Sequence, residues 1–268
     1  MNRVVPQRRP WLWLGSTAVA VLLALLGVSV YRNPNIDHSV ITQYQFAPAI
    51  LQGLRTTIVL AVLAAIIGLA LGIVLAFMRL SASPVLRLGS GFYTWLLRGT
   101  PLLVQILLWG NLALLFQHIG PFDTNAIMTP FVASVVALGL NEAAYMAEIV
   151  RAGILSVDRG QYEASLALGM PRTLAMRRII LPQALRVIIP PAGNQFISLL
   201  KATSLVSVIA GGDLLTAAEN ISSANLHTIE LMLVATFWYL VLTTITSASQ
   251  YFIERRLGRA GTGLHGTR

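Results

Sequence analysis

The chain has 268 residues, 56% of them hydrophobic and only 11% charged, with a mean hydropathy of +0.72; a soluble domain carries about 25% charged residues, so a soluble fold is excluded. The formal net charge of +9 would by itself suit nucleic acid or an anionic surface. The absence of cysteine excludes disulfides and thiolate metal sites, and His38, His118, His227 and His265 are too scattered for a ligand set.

Six apolar runs follow, each long enough to cross about 30 Å of hydrocarbon at about 1.5 Å per residue. The first, residues 11–31, comes after Arg3, Arg8 and Arg9. It is longer than a secretory h-region, and no small-x-small cleavage pattern is clear behind it, so a retained signal-anchor helix is expected. Residues 32–53 are polar, with Asn33-Pro34-Asn35 as a turn signal. The second run, 54–78, carries Gly68 and Gly72, a small-xxx-small spacing that lets a neighbouring helix approach closely.

The third run, 92–116, contains Arg98, Pro101 and Gln105. The proline frees carbonyls and bends or breaks the helix. Two readings stay open for Arg98: an intramembrane charge, or an interfacial one that snorkels because the span starts only at Leu102. Gln105 lies one to two turns deeper and is expected to face protein. A brief link, 117–130, leads to the fourth run, 131–154, which holds Asn141, Glu142 and Glu148. An ionisable group at mid-span costs about 2.5–3.5 kcal/mol on insertion scales, so each is a functional candidate. Glu148 can also pair with Arg151, three residues on.

Residues 158–182 are a polar, arginine-rich insert with the signals of a short helix of its own. Asp158 is a candidate N-cap, with Gln161 completing a capping box. Glu163 is placed in the first turn, where the helix dipole favours negative charge. Gly169 suits the left-handed C′ position, and Pro171 follows as a stop. The expected product is a rigid helix at a membrane face that docks a soluble partner. The fifth run, 187–211, holds Pro190, Pro191, Asn194 and the only lysine, Lys201, on roughly the face of Asn194. Its expected partner is a glutamate of the fourth run or the substrate. Another brief link, 212–230, precedes the sixth run, 231–253, and the Gly- and Arg-rich tail 258–268 is expected to be disordered.

With the N-terminus inside, fifteen of the nineteen basic residues fall on the inner side. They are Arg3, Arg8, Arg9, Arg79, Arg87, Arg151, Arg159, Arg172, Arg177, Arg178, Arg186, Arg255, Arg256, Arg259 and Arg268. Both termini and the insert are then cytoplasmic. The positive charge is divided among membrane-flanking segments, which disposes of nucleic acid as a partner.

Glu163-Ala164-Ser165, Gly169 and Ile179-x-Leu181-Pro182 resemble the cytoplasmic EAA loop of ABC-importer permeases, with Ser165 where a second alanine is usual. Arg98-Gly99-Thr100-Pro101-Leu102-Leu103-Val104-Gln105, Ala144-Tyr145-Met146-Ala147-Glu148-Ile149-Val150-Arg151 and Gly160-Gln161-Tyr162-Glu163 resemble the polar amino-acid subfamily, the histidine/glutamine/arginine type. Leu181-Pro182-Gln183-Ala184-Leu185-Arg186, Pro190-Pro191 and Leu200-Lys201-Ala202-Thr203-Ser204-Leu205 continue the likeness, with Ala202 where an acidic residue is common.

The resemblance implies an all-α polytopic membrane protein of about six transmembrane helices: a five-helix type I core, an added N-terminal helix and a cytoplasmic coupling helix. It divides the chain into 1–53, a permease domain 54–253 with its coupling loop at 156–185, and a basic tail 254–268. It implies an importer permease in the bacterial inner membrane that moves a polar amino acid with a second permease subunit, identical or related. A cytoplasmic ABC ATPase dimer would dock on Gly160, Gln161, Tyr162, Glu163, Ala164, Ser165, Leu168, Gly169 and Pro182. An extracytoplasmic binding protein would deliver the substrate. The chain has no Gly-x-x-x-x-Gly-Lys-[Ser/Thr] motif, so ATP and magnesium would be held by the partner. Candidate substrate-path residues are Arg98, Gln105, Asn141, Glu142, Glu148, Asn194 and Lys201; no catalytic or metal site is expected. Alternatives are another small polar solute, such as an opine or modified amino acid, or an ion-coupled transporter using Glu142.

Overall fold

A computed structural model describes residues 10–259, so Arg3, Arg8, Arg9, Arg268 and most of the tail lie outside the described residues. Helix α1 (Pro10–Tyr31) leads by α2 (His38–Tyr44) into the long α3 (Pro48–Leu80). Next come α4 (Pro84–Gly99), α5 (Leu102–Gly110) and α6 (Leu112–Leu115). A two-residue antiparallel hairpin, β1 (His118–Ile119) and β2 (Phe122–Asp123), precedes α7 (Thr124–Ile127) and the second long helix, α8 (Pro130–Leu155). The insert forms α9 (Arg159–Ala167) and α10 (Arg172–Ala175), then α11 (Leu181–Ala202), α12 (Leu214–Asn225) and α13 (Thr228–Arg259) complete the chain.

The axis of the fold is α3 against α8. Proline at the first position of each pre-sets the helical φ. Small residues then let the backbones approach. A Cβ on Gly68 would overlap the Glu142 side chain, one on Gly72 would lie 2.5 Å from Met146 Cβ, and one on Gly139 would lie 2.9 Å from Ile67 Cγ2. The Gly68–Gly72 spacing is therefore an intramolecular packing stripe. Three apolar clusters are strung along this axis. Val40, Ile50, Leu214 and Leu231 join α2, α3, α12 and α13 at one end. Leu60, Ile106, Leu138 and Val206 fill the middle. Ala76, Ile154, Ile180 and Ile188 close the end that carries α9.

The six expected spans are redrawn in several places. Among the described residues three helices are long and apolar enough to cross a membrane: Pro48–Leu80, Pro130–Leu155 and Thr228–Arg256. The third run is not one helix. It breaks at Thr100–Pro101 into α4 and a nine-residue α5, which reaches only about 14 Å. The second helix starts at Pro48 rather than residue 54. The fifth starts before residue 187, because Arg172–Ile209 is one helical path. A π turn lies within it at Met176–Ile180, where Leu181 N–H bonds to Met176 O. It directly precedes Pro182, whose ring and missing N–H bar the regular bond to Arg178 O, so the ladder widens there. Pro182 is thus inside a helix rather than at the edge of a loop.

The link at 212–230 is mostly helix too. Beyond left-handed Ala210 and Gly212, the chain turns by 42° into α12. Asp213 caps that helix, accepting from Leu215 N at 3.0 Å and Thr216 N at 3.2 Å, and takes the Tyr239 hydroxyl at 3.2 Å. At the same end, Asp37 caps α2 through Ser39, whose hydroxyl and N–H hold its carboxyl below the usual carboxylate range. Asp37 N–H reaches Glu230 Oε1 at 3.0 Å, tying α2 to α13.

Candidate functional site

The break between α4 and α5 is held by side chains buried around it. Gln105 Nε2 donates to Leu97 O at 2.8 Å, Thr100 O at 3.1 Å and Thr100 Oγ1 at 2.8 Å. Asn141 Nδ2, from α8, donates to Leu97 O at 2.9 Å and Gln105 Oε1 at 3.2 Å. Carbonyls released where Pro101 interrupts the ladder thus find donors inside the protein. Both candidates serve the backbone of the break, and neither lines the main cavity.

That cavity, of about 730 Å³, opens between α4, α8 and α11 and is lined by Arg98, Tyr145, Glu148, Asn194, Gln195 and Ser198 among others. Arg98 lies over the Tyr145 ring, 5.2 Å from its centroid. Glu148 and Arg151 pair at 2.7 Å, as their spacing predicts. Asn194 Oδ1 accepts from Gln250 Nε2 of α13 at 3.2 Å. The wall therefore presents both signs of charge and two side-chain amides, those of Asn194 and Gln195. Three sequence candidates, Arg98, Glu148 and Asn194, are brought together here.

Two candidates lie elsewhere. Lys201 is exposed, forms no ion pair with a glutamate among the described residues, and lines a separate recess with Ser204, Leu215 and Tyr239. Lys201 lies seven positions after Asn194, yet the two do not share a cavity. Glu142 is only 2% exposed and sits behind the cavity wall. Tyr145, Gln195 and Ser198, which are not among the substrate-path candidates of the sequence, also line the cavity. A signal existed: Tyr145, Glu148, Ile149 and Ala152 on α8, and Pro191, Asn194, Gln195 and Ser198 on α11, each repeat at i, i+3, i+4, i+7.

The second element is α9. Asp158 caps it by accepting from Gly160 N at 2.7 Å, but the reciprocal Gln161 bond of a capping box is not formed. Glu163 falls in the second turn, not the first, so the dipole argument for it does not apply. The C-terminal expectation is met. Gly169 has φ 78°, its N–H bonds to Leu166 O at 2.9 Å, and Met170 N–H bonds to Ser165 O at 3.1 Å, the paired bonds of a Schellman stop. Ser165, the departure from alanine, is 3% exposed and satisfies its hydroxyl on Tyr162 O at 2.6 Å. Tyr162 packs inward on the cluster of Ile154 and Ile180. Gly160, Gln161, Glu163 and Ala164 stay exposed, as does Leu168 at 82%.

Residues 68–259 match the family described as the binding-protein-dependent transport system inner membrane component. The chain belongs to that family. Similar to this member is the arginine transport system permease protein ArgU of Corynebacterium glutamicum, 41% identical over 263 residues, 96% of this chain and 83% of that protein. The L-cystine transport system permease protein TcyB of Bacillus subtilis is 40% identical over 220 residues, 82% and 91% of the two chains. Among solved structures, an amino acid ABC transporter crystallised with histidines aligns with a TM-score of 0.74 at 39% identity, over 82% of this chain and 99% of that one. This inner membrane component therefore has the type I ABC-importer permease fold and is a multi-pass part of a transport system, which sets the ion-coupled alternative aside.

Proposed function

We propose that the chain is the permease subunit of an ATP-driven importer for a polar amino acid, lying in the inner membrane with both termini and α9 on the cytoplasmic side. The carrying observation is α9: a capped helix with a left-handed glycine stop, its Leu168 and Ala164 turned outward, joined directly to two of the longest helical paths in the fold. An ATPase dimer that binds ATP and magnesium grips Gly160, Gln161, Glu163, Ala164 and Leu168. Tyr162, Ser165, Gly169 and Pro182 hold that surface in shape. Rigid joints to α8 and to α10–α11 turn movement of the ATPase into movement of the cavity walls.

A binding protein delivers substrate on the opposite face, and a second permease, identical or related, completes the path. The cavity of Arg98, Glu148 and Asn194 suits a zwitterion, with the guanidinium facing a carboxylate and the Glu148 carboxyl an ammonium. Relatives named for arginine, cystine and glutamine transport support an amino acid as cargo. The test is cysteine crosslinking in cells from positions 164 and 168, combined with ATP-dependent amino-acid uptake by the reconstituted complex. Failure of both positions to trap an ATP-binding protein defeats the docking assignment, and uptake without ATP defeats the energy source.

A further inference from the structure

Gln195 of α11 lines the cavity and is held from behind. Its Nε2 donates to Glu142 Oε2 at 2.9 Å. Glu142, on α8, does not line the cavity. On its far side Gly68 of α3 leaves no slack, since a Cβ there would overlap Glu142 Cγ. The other oxygen, Oε1, is buried and has no hydrogen-bond partner. An unpartnered buried acceptor is rare and asks for a reason. An apolar side chain would fill this space without stranding an oxygen, so packing alone does not account for Glu142.

The reason lies in what the contact does to the amide. Gln195 has a donor end and an acceptor end. Glu142 engages the donor end. Gln195 Oε1 accepts no hydrogen bond within the described residues and is not among the buried, unpartnered atoms. The acceptor end is thus left available at the cavity wall. We propose that Glu142 is a positioning residue that turns the Gln195 amide so that its carbonyl oxygen faces the cavity. An acceptor fixed there favours a ligand carrying an ammonium over an analogue lacking it. The inference rests on this cavity being the substrate path.

The test is equilibrium binding to the purified permease–ATPase complex without binding protein. Radiolabelled arginine, cystine and glutamine are the probes, and the des-amino analogue of the ligand bound best is the competitor. Glu142→Gln keeps the shape but lets either end of the Gln195 amide face the cavity. It is expected to weaken binding about tenfold, the size of one hydrogen bond to a charged group, and to lower discrimination against the des-amino analogue by a similar factor. Glu142→Met, similar in length and without a polar end, gives the same loss of discrimination and serves if the first variant does not assemble. In a Gln195→Met background, Glu142→Gln produces no further change in discrimination. A merely structural Glu142 would lower the melting temperature and leave discrimination at the wild-type value; that outcome overturns the proposal while leaving the cavity assignment intact. If the wild-type complex binds none of the three amino acids, the cavity assignment falls and this inference with it.

Discussion

Gly72 of α3 lies directly against Met146 of α8, so close that a Cβ on the glycine would stand 2.5 Å from the methionine Cβ. The same Cβ would be 3.0 Å from Ala147 N and 3.1 Å from Ala143 O, both backbone atoms that cannot swing aside. The two helices that frame the molecule meet at a distance only glycine permits.

Gly72→Ala is therefore expected to cost about 1–3 kcal/mol by overpacking. Gly72→Leu should prevent a stable bundle. Thermal melting followed by size-exclusion chromatography in detergent checks both. A Leu variant that melts like wild type would show that the helices separate without penalty.

Gly169 supplies a different kind of constraint. Its φ of 78° is disfavoured for residues with a Cβ, and no neighbouring atom would meet an added Cβ, so the strain of substitution is in the backbone alone. Gly169→Val should cost roughly 1–2 kcal/mol locally and fray the end of α9. Insertion and overall melting should persist while uptake falls and ATP hydrolysis loses its link to transport. Measuring both rates in proteoliposomes decides the matter; full coupled uptake in the variant would remove α9 from the mechanism.

Gln105→Leu should destabilise the protein by about 1–3 kcal/mol, because Thr100 O loses its donor and Asn141 loses an acceptor in a buried setting. Asn141→Leu should act on the same break through Leu97 O. Combining the two substitutions should cost less than the sum of the single losses, since each removes part of one network. Additive changes in melting behaviour would mean that the two side chains act independently.

The charged candidates should separate by location. Arg98→Gln and Glu148→Gln alter the cavity wall and are expected to weaken amino-acid binding about tenfold each, the scale of one charge-assisted contact. The Glu148–Arg151 pair is partly exposed, with side-chain exposures of 22% and 33%, so its loss should change stability by under about 1 kcal/mol. Lys201→Gln lies outside that cavity and should leave affinity within about twofold. Equal losses at all three positions, read by equilibrium binding, would show that Lys201 meets the ligand as directly as Arg98 and Glu148.

Much was legible in the sequence because the controlling physics is local. Hydrophobic length marks a span wherever it occurs, so α3, α8 and α13 could be located from their own residues. The stop at Gly169 was legible because left-handed backbone is a property of one residue. The EAA spacing and the subfamily segments pointed to the family. The capping box expected at Asp158 and Gln161 does not form because Asp158 bonds to the second helical N–H, that of Gly160, rather than the third, a matter of one torsion that composition does not carry.

Other features needed the folded chain. That Gln105 and Asn141 hold a helix break, that Asn194 and Lys201 open into different recesses, and that residues 214–225 form a packed helix all depend on which faces meet. Those faces are chosen by contacts far apart in sequence, such as Gly68 on Glu142 and Gly72 on Met146, where close approach fixes the rotation of one helix against another. Apolarity places a segment in the bilayer without saying which side of it looks inward; steric fit between helices decides that, and the cavity follows from the fit.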